Sequence, residues 1–521
     1  MNTQQPAIIR RLARTGTAAK LVREFIATNG PTIARRTFLL RVLAALFVFG
    51  VVIERHVGAW AGSSDSSGYM NDARLLDARD VHPVQRTIAG IPPEKLPFMG
   101  YIPLGFLPMN NGRMYPTYPM GLPIEILLGS RIFGWAAGPN IVAWMHAMAC
   151  IVAMYFLCRE FKLGQEMSLL GALFLGSSSL FLFASLQAMS DTPAALWAIL
   201  AVLGCLKSER RASWAIFGGF CYGYGILVRP TNILMIVPIL FLFPWNLKKA
   251  ILFCIGATPG SVCVVIMNHL VYGKSVTTGY GDFTSLFGLR YVDASLRNYL
   301  SWIPVEMTPL IVLALGFPFV AANMRYWARV GVIIWFATFA SFYATYYYTH
   351  ETWWYLRFLL PAFPALIVGM LAVLASFAER SPSLKFAGYF LVICFLLRWN
   401  VVWTRKLYAL ESGSGEKVYA ESCEFIKKSL PANAVILCMQ ESGAILYYTD
   451  HTIVRWDCIG ETDFQEIVSA CSKTGQQIYM VLFPFEEGAA LKKFSGAKWI
   501  SSGKVRFVDI WHLVGGNQVR S

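Results

Sequence analysis

Long apolar segments separated by short polar ones occupy most of the chain between Arg41 and Trp403. A helix needs roughly 20 mostly apolar residues to cross the hydrocarbon core of a bilayer, and the segments recur at about that length. We place spans at residues 38–54, 138–158, 168–186, 191–206, 213–228, 230–244, 250–271, 301–321, 330–348, 360–378 and 386–403. The pattern therefore predicts a polytopic α-helical membrane protein with about eleven transmembrane helices.

Basic residues between the predicted spans indicate which loops stay inside. The sequence before the first span is rich in Arg and Lys and contains a single acid, Glu24, so we predict a cytoplasmic tail at residues 1–37. An organellar transit peptide is the alternative for this tail. Five short basic loops alternate with outer ones in the order that the positive-inside rule requires: 159–162, 207–211, 248–249, 325–329 and 380–385.

An odd number of spans places the C-terminus outside the cell membrane, in the periplasm or an equivalent compartment. Within the transmembrane domain, residues 38–410, the first outer loop is long and covers residues 54–137. From residue 411 to residue 521, apolar runs of strand length alternate with helix-like stretches. This alternation predicts a small extracytoplasmic α/β domain.

Composition excludes a conventional soluble enzyme. The 521 residues are 56% hydrophobic and only 14% charged, against roughly 25% charged in soluble domains. The net charge of +15 lies mainly in short clusters between apolar runs, so it predicts lipid bilayer contact and topology signals rather than a nucleic-acid partner.

Cysteine and histidine spacing gives little sign of a metal site. Seven of the eleven cysteines fall in predicted spans, where a free thiol behaves as a small apolar group. The sequence contains no C-x-x-C pair beyond the spans and no cluster of histidines, so no dedicated zinc site is expected. Four cysteines of the C-terminal region allow three disulfide pairings, which the sequence leaves open: Cys423, Cys438, Cys458 and Cys471.

Polar groups at the outer ends of spans are costly to hold near lipid and are therefore candidates for function. Asp65 lies in the run Ser63 to Tyr69, where small residues would let a substrate approach its carboxylate. The alternative is that Asp65 caps a helix starting near Gly68. Tyr118 lies within the proline-spaced aromatic run Tyr115 to Pro123, for which a plain loop anchored at the lipid headgroups is the alternative.

Further candidates lie at three other outer turns. Asp191 follows Ser190 at the start of a predicted span, where helix capping is the alternative role. Arg229 and Arg357 lie at the outer boundary against the positive-inside trend, and a guanidinium there suits a phosphate or carboxylate ligand. Snorkelling to lipid headgroups is the alternative for both arginines. His350 and Glu351 lie in the polar segment just before Arg357.

Taken together, these stretches resemble the GT-C membrane glycosyltransferases that use polyprenyl-phosphate-linked sugars. The resemblance is to the branch that contains the protein O-mannosyltransferases and the bacterial lipid A aminoarabinose transferases, and it covers nearly the whole chain. The chain lacks the adjacent Asp-Glu pair of the protein mannosyltransferases and carries Tyr-Pro-Met-Gly where some relatives have Lys-Pro-Pro, which leaves the sugar and the acceptor open. The resemblance rests on these stretches, in this order: 65–69, 118–123, 190–193, 229–232 and 357–361.

The resemblance implies an inverting transfer from a polyprenyl-phosphate sugar to an acceptor hydroxyl of unknown kind on the outer face. Asp65 would be the catalytic base, and Arg229 and Arg357 would bind the donor phosphate. The substrate site would be lined by Tyr69, Tyr118, Asp191, His350 and Glu351. No cofactor is certain. A divalent cation, Mg²⁺ or Mn²⁺, is compatible with the chemistry near Asp65, although no second ligand is identifiable.

Two other classes of protein would also have many spans. A transporter or lipid flippase usually needs ionisable residues at the bilayer centre, whereas here few such residues fall in the middle of a predicted span. A membrane-anchored binding protein would leave the long first loop unexplained. A glycosyltransferase is therefore the favoured interpretation, with the transporter as its alternative.

Overall fold

The computed structural model describes residues 36–280, 284–379 and 385–514 of two compact units, Met1–Val52 and Ile53–Ser521. In the first unit the described residues belong to one apolar helix, α1 (Arg36–His56), which continues into the second unit. Most of the predicted cytoplasmic tail, and most of the predicted basic loop at 380–385, lie outside the described residues.

The membrane-associated part of the second unit is helical. Its helices, in chain order, are α2 (Ser64–Ala78), α3 (Gly121–Phe133), α4 (Gly138–Glu160), α5 (Gln165–Ser177), α6 (Ser179–Ser185), α7 (Asp191–Lys207), α8 (Trp214–Val228), α9 (Ile236–Leu242), α10 (Leu247–Tyr272), α11 (Val292–Glu306), α12 (Phe317–Val320), α13 (Tyr326–Ala344), α14 (Phe363–Glu379) and α15 (Lys385–Lys406). Three segments of 3₁₀ helix precede α9, α12 and α14: Pro230–Met235, Pro309–Gly316 and Trp353–Ala362. A two-stranded antiparallel ribbon, β1 (Phe106–Pro108) and β2 (Met114–Pro116), lies in the first long loop.

The predicted number of eleven spans is not confirmed. Within the described residues, five helices are long and apolar enough to cross a membrane, or up to seven when each bent pair counts as one span. The pair α5 and α6 bends by 61° at Ser178, and the segments Leu289–Glu306 and Pro309–Val320 are bent by 102° at the break just before Pro309. Proline cannot continue a regular helix, and serine hydroxyls compete for backbone carbonyls. Hydropathy alone does not register such breaks.

Two of the apolar helices pack with almost no space between their backbones. Gly219 of α8 faces the backbone of Phe253, and Gly256 of α10 faces that of Ile216, so neither position has room for a Cβ atom. Small residues allow this close approach, which is how helices commonly associate in a membrane. Helix α8 of this pair ends directly before Arg229.

The C-terminal part of the chain forms a mixed sheet flanked by helices. Its strand order is β4-β3-β5-β7-β6, with β3 parallel to β4 and β5, and β7 antiparallel to β5 and β6. The strands are β3 (Val435–Cys438), β4 (Thr452–Arg455), β5 (Ile478–Leu482), β6 (Lys498–Val505) and β7 (Val508–Val514). The helices are α16 (Ser412–Ser429), α17 (Ser442–Tyr448), α18 (Glu461–Thr474) and α19 (Pro484–Lys493).

This sheet shares its hydrophobic core with the first long loop. Ile88, Ile91 and Leu96 of the loop are buried with Leu437 and other side chains of the sheet. A hydrogen bond also joins α2 to α17: the side-chain amide of Asn71 (Nδ2) donates to the backbone carbonyl oxygen of Gly443 over 2.9 Å. The sheet and the loop therefore belong to one compact unit.

All eleven cysteines lie among the described residues, and all are free. Cys423, Cys438 and Cys471 are buried in the sheet region, whereas Cys458 is half-buried. None of the three predicted disulfide pairings among these four cysteines is formed in the structure.

Candidate active site

Helix α2 places Asp65 in its first turn, facing other elements rather than its own backbone. The helix begins at Ser64, and its N-cap residue, Ser63, has a positive φ of 31° and makes no side-chain cap. The Asp65 carboxylate instead accepts a hydrogen bond from the Tyr118 hydroxyl at Oδ1 (2.7 Å) and one from Arg357 Nη2 at Oδ2 (2.5 Å). The interpretation of Asp65 as a helix cap is therefore wrong.

Two carboxylates and two guanidinium groups form a continuous series of ion pairs, which we call the ion-pair chain. Asp65 pairs with Arg357, Arg357 Nη1 lies 4.0 Å from Asp191 Oδ2, and Asp191 Oδ1 pairs with Arg229. The Asp191 side chain is 4% exposed, Arg357 10% and Arg229 12%, whereas Asp65 is 27% exposed. Because the charges balance, the buried groups are compensated, and Asp65 is the end that an incoming molecule reaches.

The ends of three helical segments bring these residues together. Asp191 is the first residue of α7, and Arg229 immediately follows α8. Arg229 has extended backbone angles (φ −149°, ψ 112°), as expected for a residue before proline. The side-chain amide of Asn232 then donates to the carbonyl oxygen of Ala194 over 3.0 Å, which fixes this turn against α7. Arg357 lies in the 3₁₀ segment before α14.

Aromatic rings enclose the exposed end of the ion-pair chain. The Tyr69 and Tyr118 rings lie 4.8 Å apart, and Tyr280 meets Tyr118 edge-on at 6.1 Å. The Tyr69 hydroxyl donates to Ser190 Oγ over 2.7 Å, next to Asp191. Phe358 lies under both guanidinium groups, 5.1 Å from Arg229 and 5.3 Å from Arg357. Such cation–π contacts stabilise the two charged guanidinium groups in this partly desolvated site.

The charge states at this end follow from burial and from the neighbouring arginine. Burial raises the pKa of Asp65, but the charge of Arg357 and the hydrogen bonds from Tyr118 and Arg357 outweigh it and hold the pKa below its usual value. Burial and the nearby Asp65 raise the pKa of Tyr118 well above its usual value. Asp65 is therefore an anion at neutral pH, and Tyr118 is a neutral hydrogen-bond donor.

His350 and Glu351 lie apart from the ion-pair chain. The His350 ring stacks on Tyr291 at 5.9 Å and meets Tyr347 edge-on at 5.2 Å. Glu351 lies near the phenol of Tyr348. Among the described residues, neither His350 nor Glu351 forms an ion pair with the four charged groups above. The structure therefore brings together six of the eight residues singled out from the sequence.

Other residues of the site were not singled out from the sequence. Met189 contacts Arg357, with Nη1 3.0 Å from Sδ, and Phe358 and Tyr280 contribute the rings described above. Apolar and aromatic residues are too common in such a chain to stand out. The sequence did contain a signal for each: Met189 lies two residues before Asp191, Phe358 follows Arg357, and Tyr280 lies in a Gly-Tyr-Gly run.

A divalent cation does not fit the donors beside Asp65. Both carboxylate oxygens of Asp65 accept hydrogen bonds, and those of Asp191 face two arginines. In the described part of the chain, no three side chains of His, Cys, Asp or Glu lie together as a metal would require. We therefore assign no catalytic step to a metal.

Comparisons with known proteins agree with this picture of the fold. Residues 119–272 match the family model described as dolichyl-phosphate-mannose-protein mannosyltransferase. That range includes Asp191 and Arg229 but neither Asp65 nor Arg357. A search of curated proteins found no match.

Three solved structures are similar over most of this chain. ArnT from Cupriavidus metallidurans bound to undecaprenyl phosphate is 12% identical with a TM-score of 0.54, covering 91% of this chain and 97% of its own. The oligosaccharyltransferase AglB from Archaeoglobus fulgidus, in complex with an inhibitory peptide and a dolichol-phosphate, is 10% identical with a TM-score of 0.50. The match covers 87% of this chain and 71% of AglB. The arabinofuranosyltransferase AftD from Mycobacteria is 12% identical with a TM-score of 0.51. The match covers 92% of this chain and 40% of AftD.

At these identities the solved structures show a shared fold. Together with the family model, they confirm the resemblance to the GT-C membrane glycosyltransferases that the sequence predicted. The apolar helices and this fold are those of a multi-pass membrane protein.

Proposed function

We propose that this chain, with the fold of the GT-C membrane glycosyltransferases, transfers a sugar from a polyprenyl-phosphate donor to an acceptor hydroxyl at the outer face of the membrane. Relatives in fold were solved with undecaprenyl phosphate and with a dolichol-phosphate, and the matching family is named for dolichyl-phosphate-mannose. The observation that carries the proposal is the ion-pair chain, in which one accessible carboxylate, Asp65, pairs with buried Arg357, and buried Asp191 links Arg357 to Arg229.

Arg357 and Arg229 are the proposed ligands of the donor phosphate. The negative charge on the phosphate oxygens rises as the glycosidic bond breaks, and guanidinium groups stabilise that charge by charge-assisted hydrogen bonds. Asp191 contacts both arginines and holds them side by side. Its burial supports a structural role in the ion-pair chain rather than contact with the acceptor.

Asp65 is the proposed catalytic base. As an anion at the accessible end of the ion-pair chain, it would accept the proton of the acceptor hydroxyl while the oxygen attacks the anomeric carbon. The bond from that carbon to the phosphate oxygen breaks in the same step, so polyprenyl phosphate leaves and the configuration inverts. The hydrogen bond from Tyr118 to Oδ1 fixes the carboxylate during this step.

The contact between Asp65 and Arg357 gives the proposed reaction an order. A donor phosphate that binds Arg357 competes with Asp65 Oδ2 for the same guanidinium. Once Arg357 turns toward the phosphate, Oδ2 becomes available to the acceptor hydroxyl, and the pKa of Asp65 rises because its nearest cation is shared. Donor binding would thus precede base catalysis and strengthen the base.

The cell membrane as location, the cytoplasmic N-terminus and the exported C-terminal sheet remain part of the proposal. They rest on the short basic loops at one side of the predicted spans. The acceptor, whether lipid, glycan or protein, and the identity of the sugar are left open.

The proposal is tested by incubating the full chain in lipid nanodiscs with a panel of radiolabelled polyprenyl-phosphate sugars and a mixture of hydroxyl acceptors. The expected result is release of polyprenyl phosphate in amounts equal to the sugar transferred. Absence of release with every donor would contradict the proposal. If the labelled lipid instead crossed the bilayer of proteoliposomes unchanged, the protein would be a transporter or flippase.

A further inference from the structure

A carboxyl group from the C-terminal region lies beside the segment that carries Asp65. Glu416 belongs to the first turns of α16 and is 7% exposed. Its Oε2 atom lies against Gly62, at a place where a Cβ atom at position 62 would collide with the carboxyl group. Glycine at position 62 thus makes room for the Glu416 carboxyl directly before α2.

Glu416 also lies close to the residues on either side of Asp65. The hydroxyls of Ser66 and Ser63 are near enough to lower the pKa of Glu416. Even so, Glu416 Oε2 and Ser66 Oγ are both buried without a hydrogen-bond partner of normal geometry among the described residues. A buried polar atom without a partner costs about 1–3 kcal/mol, so such atoms tend to mark sites of function.

The titratable groups around Glu416 come from three elements. Asp65 of α2 disfavours ionisation of Glu416 and Arg357 of the 3₁₀ segment favours it, whereas Tyr419 of α16 is an uncharged phenol. Burial is the largest influence and raises the pKa of Glu416 to about 7. Glu416 is therefore a neutral acid in mildly acidic solution and becomes an anion, beside Asp65 and Arg357, as the pH rises through neutrality.

We propose that Glu416 is a positioning residue of the transferase site, which as a neutral acid supports the Ser63–Ser66 segment beneath Asp65 and as an anion competes with the donor phosphate for Arg357. This inference rests on the proposed function for its kinetic consequence. Its structural part, a second carboxyl group that gains a charge next to the ion-pair chain, does not depend on the reaction.

The kinetic consequence is a pH dependence of donor binding. An anionic Glu416 adds negative charge near Arg357 and so disfavours a phosphate there. Wild-type KM for the donor should rise about three- to tenfold between pH 6 and pH 8.5, which is the change expected for a coupling of up to one pKa unit. The value of kcat should change less, because Asp65 is ionised throughout this range.

The test compares Glu416→Gln with Glu441→Gln across that pH range. Glu441 is a matched control because it is also fully buried, with a pKa raised by burial to about 8, but it pairs with Ser422 and Cys423 away from Asp65. Glu416→Gln should hold the donor KM at its low, acidic-pH value up to pH 8.5, whereas Glu441→Gln should keep the wild-type rise. A wild-type profile in Glu416→Gln would overturn the proposal.

A second measurement does not need turnover. Because Glu441 also titrates in this range, infrared difference spectra between pH 6 and pH 8.5 should show one protonated carboxyl band that is lost in the wild type and in Glu441→Gln but is absent from Glu416→Gln. If no donor is turned over but this band behaves as described, the proposed function fails while the titration of Glu416 stands. If the band is the same in Glu416→Gln and the wild type, the inference about Glu416 fails. Gly62→Ala, which displaces the carboxyl, should shift the same band.

Discussion

Asp72 differs from the carboxylates of the ion-pair chain because neither of its oxygens has a hydrogen-bond partner among the described residues. It is fully buried on α2, and burial raises its pKa well above the usual value. Asp65, seven residues earlier on the same helix, has its pKa lowered by Arg357. The same side chain is thus an anion at one end of α2 and a neutral acid further along it.

Asp72→Asn should stabilise the protein at neutral and alkaline pH. Since the folded-state pKa of Asp72 is raised, the unfolded chain loses this proton first, and stability falls as the pH rises above the unfolded value of about 4. Asparagine removes that loss, so we expect a gain of about 1–3 kcal/mol at pH 8 and no difference near pH 4. Thermal unfolding at both pH values measures it. Asp77→Asn is the control, because Asp77 pairs with Arg131 at the surface; equal effects of the two substitutions would refute the account of Asp72.

At the scale of elements, α2 is fixed by contacts on several sides. Gly68 lies against the Tyr118 ring, with no space for a Cβ atom, and Asn71 and Arg74 bond to carbonyl oxygens of α17. The helix therefore holds Asp65 toward Arg357 while its other side contacts the C-terminal region. Sequence periodicity did not reveal these contacts, because they depend on how distant segments pack.

Gly68→Ala should impair transfer without unfolding the chain. The added methyl group displaces the Tyr118 ring and with it the hydrogen bond to Asp65, and a misplacement of about 1 Å costs up to about 100-fold in rate. We expect kcat to fall about 10- to 100-fold. Gly488→Ala on α19, where a Cβ atom meets nothing within 4 Å, should keep full activity. Equal kcat values for Gly68→Ala and the wild type would show that Tyr118 does not position Asp65.

At the scale of the whole molecule, the sequence predicted the resemblance and most charged residues of the candidate site, but not how distant parts combine. Asp65, Arg229 and Arg357 stood out because charged groups at the ends of apolar segments are rare. Glu416 did not, because a glutamate in an amphipathic helix is ordinary. Hydropathy likewise found the apolar segments and missed the bends at Ser178 and Pro309, which arise from local backbone chemistry.

The shared core of the sheet and the first long loop has a consequence for stability and activity together. Leu437 is fully buried in this core, so Leu437→Ala should cost about 2–5 kcal/mol and lower the melting temperature of the entire second unit. Phe485→Ala, at a side chain that is 66% exposed, is the control and should change stability by about 0.5 kcal/mol or less. If Leu437→Ala unfolded the sheet in a separate transition, leaving a stable remainder, the single unit would be contradicted.

The central claim is that Asp65 is the base of a polyprenyl-phosphate-dependent sugar transfer. Its most direct test is the rate of polyprenyl phosphate release by Asp65→Asn, compared with wild type and with Asp80→Asn, whose carboxylate is exposed and pairs with Arg113. We predict that Asp65→Asn folds normally and loses about 10²- to 10⁴-fold in kcat, while Asp80→Asn keeps the wild-type rate. A folded Asp65→Asn protein that releases polyprenyl phosphate at the wild-type rate would contradict the claim.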